Sequence, residues 1–190
     1  MTNLTPAMFV APTIALLGAA LLYAYFRKRA ADELLFRRFI GLVAVLAFLL
    51  NFAWELGHCP LYEGCGYGFE HVLFLALASL ADAILAVLLY FGFALIYRNG
   101  MWAHPLTAKR SFWLIMAGGT GAVVSEVAHL AAGNWAYTDG MPLMPGIGVG
   151  VTPVLQFAVL PVLIYRLSSY LTVPKAVTSA PETVAESSPG

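Results

Sequence analysis

Five long apolar runs separated by short polar segments organise this chain, at roughly residues 8–26, 39–57, 71–97, 112–133 and 151–171. Each is long enough to cross about 30 Å of hydrocarbon as a helix, the open-chain conformation that satisfies its own backbone hydrogen bonds in lipid. The pattern predicts an all-α polytopic membrane protein whose five transmembrane helices form one domain over residues 1–174. Residues 175–190, "AVTSAPETVAESSPG" with the lysine before it, are small, polar and proline-containing, and predict a disordered tail. The first run is expected to be retained as a span, because "MTNLTPAMFV" carries no basic residue ahead of it.

Composition agrees with the pattern. Of 190 residues, 61% are hydrophobic and 11% charged, and the mean hydropathy of +0.81 lies far above that of soluble domains. The formal net charge of zero conceals an asymmetry. All ten Lys and Arg residues fall after the first run (Arg27, Lys28, Arg29, Arg37, Arg38), between the third and fourth (Arg98, Lys109, Arg110) or at the end of the fifth (Arg166, Lys175). Five crossings bring these positions to one side. The positive-inside rule then predicts an outer N-terminus and a cytoplasmic C-terminus, with its tail, in a membrane such as the bacterial inner membrane. The two long loops on the other face, 58–70 and 134–150, contain neither Lys nor Arg, which argues against nucleic acid as a partner.

The acids and histidines are distributed the opposite way. Glu55, Glu63, Glu70, Asp82, Glu126 and Asp139, with His58, His71 and His129, all map to the outer half. A carboxyl group inside a membrane helix costs a few kcal/mol on insertion scales, roughly 2.5–3.5 for Asp, and is rarely kept without a partner or a task. Glu55, Asp82 and Glu126 are the three to explain. "WELGH" and "SEVAH" are both Glu-x-x-His, a spacing that stacks each Glu and its His on one helix face. His71 opens the third helix at similar depth, and Asp82 lies about 16 Å further down it at 1.5 Å per residue. Gly118, Gly119 and Gly121 would let the fourth helix approach its neighbours closely.

Such a layer suits two chemistries. As general acids and bases, desolvated carboxyls exchange protons in a range that a surface carboxyl does not reach. Glu55, His58, His71, Asp82, Glu126 and His129 are then the expected catalytic residues, with Asn51, Trp54, Trp135, Tyr137 and Gln156 lining the substrate. The faces of Trp54, Trp135 and Tyr137 suit a developing carbocation, and Gln156 is expected to face the bundle one turn inside the membrane. This reading requires no cofactor. As a metal site, paired Glu-x-x-His motifs on two helices resemble the di-metal carboxylate centres of helical bundles; Glu55, His58, His71, Glu126 and His129 would be ligands to zinc, iron or a haem, with Glu70 a further donor. A structural reading has the same groups pairing with one another or with Asn51, Ser125 and Gln156.

The two cysteines, Cys59 and Cys65, sit in the outer loop "HCPLYEGC", and an oxidising outer face predicts a disulfide between them. Quinone-linked thiol exchange would use a second cysteine pair, which this sequence does not contain. The second outer loop, "NWAYTDGMPLMPGIGVGVTP", reads as a lid or a short re-entrant element ahead of the fifth helix. Its "GIGVG" has no preceding strand and is not read as a phosphate-binding turn.

"NFAWE" in the second helix, the acids in later helices and the "WAY" stretch resemble small polytopic membrane cyclases that protonate isoprenoids: the meroterpenoid cyclases and, more distantly, lycopene cyclases of the heterodimeric type. The resemblance covers about a tenth of the chain and implies that Glu55 is the acid. It implies no other residue, since those families have more helices or a Pro-x-Glu-Glu motif, which this chain lacks. The five-helix architecture is also similar to emopamil-binding sterol isomerases, whose His-x-x-x-Glu arrangement is absent. The leading expectation is therefore a membrane enzyme that isomerises or cyclises a lipid or isoprenoid drawn from the bilayer, as a monomer or an oligomer. The alternatives are a metal- or haem-binding redox protein, and a proton-coupled transporter or structural subunit of a membrane complex. Five helices do not divide into the two equal repeats common in transporters.

Overall fold

A computed structural model describes residues 10–172; the expected start of the first helix at Met8 and the expected tail 175–190 lie outside them. The described residues form five α-helices, α1 (Val10–Arg27), α2 (Glu33–His58), α3 (Phe69–Tyr97), α4 (Ala108–Ala131) and α5 (Val151–Thr172), with a 3₁₀ turn at Cys59–Leu61. No strand is present among them. All five helices have the length and apolarity to cross a membrane.

Two helices begin earlier than their apolar runs, and local hydrogen bonding accounts for both. Asp32 caps α2 by accepting from the Leu35 amide at 2.9 Å, so Glu33 to Arg38 join the helix although Glu33, Arg37 and Arg38 are charged. Thr107 caps α4, accepting from the Arg110 amide at 3.4 Å.

The helices pack in the order α1, α3, α2, α5, α4, each against the next, while α3 and α4 scarcely touch. The α4–α5 contact has a specific origin. Pro161 lacks the N–H that would bond the carbonyl four residues earlier, Phe157. Gly118 lies against that carbonyl so closely that a Cβ at this position would sit 2.0 Å from the Phe157 oxygen. Among the three glycines expected to permit close approach, Gly118 makes it. Gly119 stands in ordinary contact distance of Ala158 and Val154, and Gly121 meets nothing within 4 Å.

The end bearing the basic residues has a core of aromatic rings. Phe36, Phe39, Tyr90, Phe91, Trp102 and Tyr165 are fully buried there. Their polar atoms are satisfied locally: Trp102 Nε1 donates to the Tyr90 carbonyl at 2.9 Å, Tyr90 Oη to the Gly100 carbonyl at 2.6 Å and Tyr165 Oη to the Ala86 carbonyl at 2.6 Å. Asp32 and Glu33 at this end are exposed. Chemistry that needs enclosed carboxyl groups is thereby confined to the opposite half.

That half is closed by a cap made from the two long loops. The Glu63 amide donates to the Ala136 carbonyl at 2.9 Å and the Thr138 amide to the Leu61 carbonyl at 3.0 Å, so Tyr62 and Tyr137 face each other as an antiparallel bridge. A disulfide joins Cys59 to Cys65 within the first loop. In the second, Leu143 pairs with Gly150 around a tight turn in which Gly146 and Gly148 adopt φ of 80° and 71°, the left-handed region open to glycine at little cost. This segment folds as a short hairpin-like turn against the first loop.

Candidate active site beneath the loop cap

Asn51, Trp54, Glu55 and His58 follow i, i+3, i+4 and i+7 along α2 and so occupy one helix face. Asn51 is buried and anchored by its own helix, Nδ2 donating to the Ala47 carbonyl at 2.7 Å, which turns its Oδ1 toward α5. There the buried Gln156 reaches three acceptors on two other helices, α2 and α3. Its Nε2 lies 2.9 Å from Asn51 Oδ1, 3.1 Å from Glu55 Oε1 and 3.1 Å from Asp82 Oδ2. An amide nitrogen carries two hydrogens, so three acceptors compete for two donors. Asp82, with no cation in its run of sequence, has a neutral amide for its partner.

Glu126 forms a second centre. It is buried on α4, and its Oε2 accepts hydrogen bonds from Tyr137 Oη and from Trp135 Nε1, the latter at 3.3 Å. Tyr137 Oη in turn accepts from the Gly150 amide at 3.1 Å. The cap thus reaches into the bundle through the Tyr137 phenol and the Trp135 indole. A third polar contact links α2 to α5: His58 Nε2 shares a hydrogen bond with Thr152 Oγ1.

Tyr62 stands among the three centres. Its ring lies 5.1 Å from His58, 5.4 Å from Tyr137 and 6.3 Å from Trp135 between centroids. Its phenol is pushed above the ordinary tyrosine value, first by burial and then by the charges of Glu126, Tyr137, Glu55 and Asp82. Tyr62 thus packs beside His58 and beside both rings that hold Glu126. Sequence reasoning missed it, although its position between Cys59 and Cys65, in a loop bent back over the bundle, was the available signal. Thr152 was missed as well, and its signal was its place one turn before Gln156 on α5.

The two Glu-x-x-His pairs share helix faces as their spacing requires, but each member has its own partner. Glu55 meets Gln156 while His58 meets Thr152. Glu126 meets Tyr137, whereas His129 stacks on Trp135 at 4.2 Å and shares a 2.7 Å hydrogen bond between its Nδ1 and Asn134 Nδ2. His71, in the first turn of α3, packs edge-on against Phe74, outside these contacts. Glu63, Glu70 and Asp139 are exposed. Among the described residues, no three His, Cys, Asp or Glu side chains stand together as a set of metal ligands.

Both cap phenols resist ionisation. The Tyr137 phenol is raised by burial first and then by its hydrogen bond to Glu126, with the Gly150 amide opposing. A phenol whose value is higher folded than unfolded stabilises the fold fully below the ordinary value near 10 and loses that contribution as pH rises through the folded value. Ultraviolet difference titration of the wild type against Tyr137→Phe and Tyr62→Phe is expected to assign both phenols to the late-titrating fraction, with the cap loosening only as they ionise. An ordinary tyrosine titration for both would contradict the enclosed geometry.

Compared with protein-family models, with curated proteins and with solved structures, the chain finds no match.

Proposed function

We propose that this protein is an integral membrane enzyme that moves a proton on a carbon–carbon double bond of a lipid or isoprenoid, isomerising or cyclising it. The observation that carries the reading is the convergence of Glu55 and Asp82, from different membrane-spanning helices, on the single amide nitrogen of Gln156. A proton resting on one of the two carboxyls would complete the hydrogen count that Gln156 leaves short, and the same proton is the one to be delivered. One carboxyl protonates a double-bond carbon and the other removes a proton from a neighbouring carbon, so atoms and charge balance without a cofactor. The rings of Tyr62, Trp54 and Trp135 offer π faces to the cationic carbon between those steps. The resemblance of "NFAWE" to isoprenoid cyclases, which implies Glu55 as the acid, points the same way.

The capped end carries the disulfide, and in this reading it faces the oxidising side of a bacterial inner membrane, with the basic end in the cytoplasm.

The test is deuterium exchange. Protein in lipid nanodiscs is incubated in D₂O with geranylgeraniol, phytoene and a sterol, and the recovered lipids are read by mass spectrometry. Carbon-bound deuterium in at least one of them, in an isomerised or cyclised product, is the expected result. Absence of exchange into all three, accompanied by stoichiometric zinc, iron or haem in the purified protein, would replace this reading with the metal-binding one.

A further inference from the structure

A groove of about 730 Å³ has Phe93 and Tyr97 of α3 on one wall and Lys109, Trp113, Met116 and Thr120 of α4 on the other. The four α4 residues recur at steps of four, three and four, so they form a single helix stripe. Lys109 stands in the first turn of α4, at the basic end of the bundle, and the groove extends along the helix to Gly121. Twelve residues at 1.5 Å each cover about 18 Å. One leaflet's share of a hydrocarbon core about 30 Å thick is about 15 Å. The groove therefore has the depth of one lipid monolayer, and apart from its mouth it is lined by apolar and aromatic side chains with one threonine.

The charge at that mouth has one sign. Neither Asp nor Glu occurs between Asp82 and Glu126, so the basic-end halves of both walls contain no acid. Lys109 is exposed. Arg110 is fixed beside the same mouth: its Nη1 donates to the Trp102 and Pro105 carbonyls, and its guanidinium lies over the ring of the groove residue Tyr97, 5.1 Å from the centroid. Among the described residues the one ion pair joins Arg27 to Glu33, which leaves Lys109 and Arg110 without a carboxylate partner there. Trp113, one turn below Lys109, sets an indole at the level where tryptophan meets lipid headgroups.

We infer that this groove binds an anionic phospholipid of the leaflet at the basic end, with one acyl chain along the α4 stripe and the headgroup phosphate at Lys109 and Arg110. A zwitterionic lipid offers the same chain, but its own ammonium offsets the phosphate. A second copy docked by this face about an axis along the membrane normal would bring its own Lys109 and Arg110 to the same level, like charge against like. The mouth lies at the opposite end of the bundle from the loop cap, so the inference is independent of the proton-transfer reading.

Lipid binding to the full chain tests it. Native mass spectrometry in detergent micelles, with phosphatidylglycerol and phosphatidylcholine of identical palmitoyl and oleoyl chains as probes, is expected to show the anionic lipid bound at least about fivefold tighter, the worth of one basic residue near a lipid surface. Lys109→Gln should reduce that preference by about the same factor. Gly121→Leu probes the apolar part: a Cβ at Gly121 meets nothing within 4 Å, so the new side chain enters the groove without displacing its neighbours, and both lipids should weaken while their ratio stays. Phosphatidylglycerol carrying a diazirine in its acyl chain, in nanodiscs, should label the peptides of Phe93 and Met116 above those of other helices, and less so in Gly121→Leu. Equal binding of the two lipids, or labelling spread evenly over the five helices, overturns the site. Gly121→Cys protein that forms a disulfide between copies, together with no lipid labelling of the groove, would assign the face to a second copy instead.

Discussion

With glutamine in place of Glu55, deuterium exchange into the lipid is expected to fall at least about 100-fold, the low end of what a positioned acid or base contributes, while the protein folds and inserts as before. The reasoning follows from the contact that Glu55 makes. Its Oε1 accepts from Gln156 Nε2 at 3.1 Å, and the amide oxygen of glutamine can accept the same bond in the same volume. Only the capacity to hold and release a proton is removed. Asp82→Asn should produce a comparable loss, because Asp82 meets the same nitrogen at the same distance. Groups that act in one step are strongly non-additive, so the double variant should be little worse than the weaker single one. Full exchange by both single variants, each verified as folded, would show the pair to be structural.

Gln156→Leu is expected to cause the largest loss of stability. The substitution preserves bulk but strips the one donor that Asn51, Glu55 and Asp82 have in common. Each acceptor left bare costs about 1–3 kcal/mol, more when it is charged, and here several are left bare together. The seam among α2, α3 and α5 should open first. Unfolding in mixed micelles measures the effect, and adding Asp82→Asn to Gln156→Leu should recover part of it by restoring an amide donor among the same groups. A Gln156→Leu protein as stable as the wild type would mean that the three contacts contribute little to holding the helices.

These two experiments separate what the chain's pattern discloses from what only its packing discloses. The five spans were legible because each apolar run is long and because helix is the solution lipid permits. Their ends were less so: Asp32 and Thr107 extend α2 and α4 through single local hydrogen bonds, which hydropathy does not register. Glu55, Asp82, Asn51 and Gln156 each stood out as a polar residue in an apolar run. Their meeting on one nitrogen did not, because it depends on α2 lying between α3 and α5. Trp135 and Tyr137 were read as ring faces, whereas their N–H and O–H edges hold Glu126. Tyr62 gained its central place from backbone bonds between two loops more than seventy residues apart in sequence, as the separation of 78 between Pro60 and Thr138 records. Spacing along a helix says nothing about such a registration.

The order in which the helices are synthesised gives the Gln156 contact another meaning. Glu55 and Asp82 precede their shared donor by 101 and 74 residues. At roughly 5–20 residues per second, both carboxyls are synthesised several seconds before α5 exists to receive them. Until then α2 and α3 already adjoin each other with their acids unquenched, and α4 waits at the side without the helix against which Gly118 rests. Of the five described helices, the last to be made is thus the one that completes their contacts. A nascent chain stopped short of Val151 would leave uncovered the polar groups that Gln156 and its helix otherwise enclose.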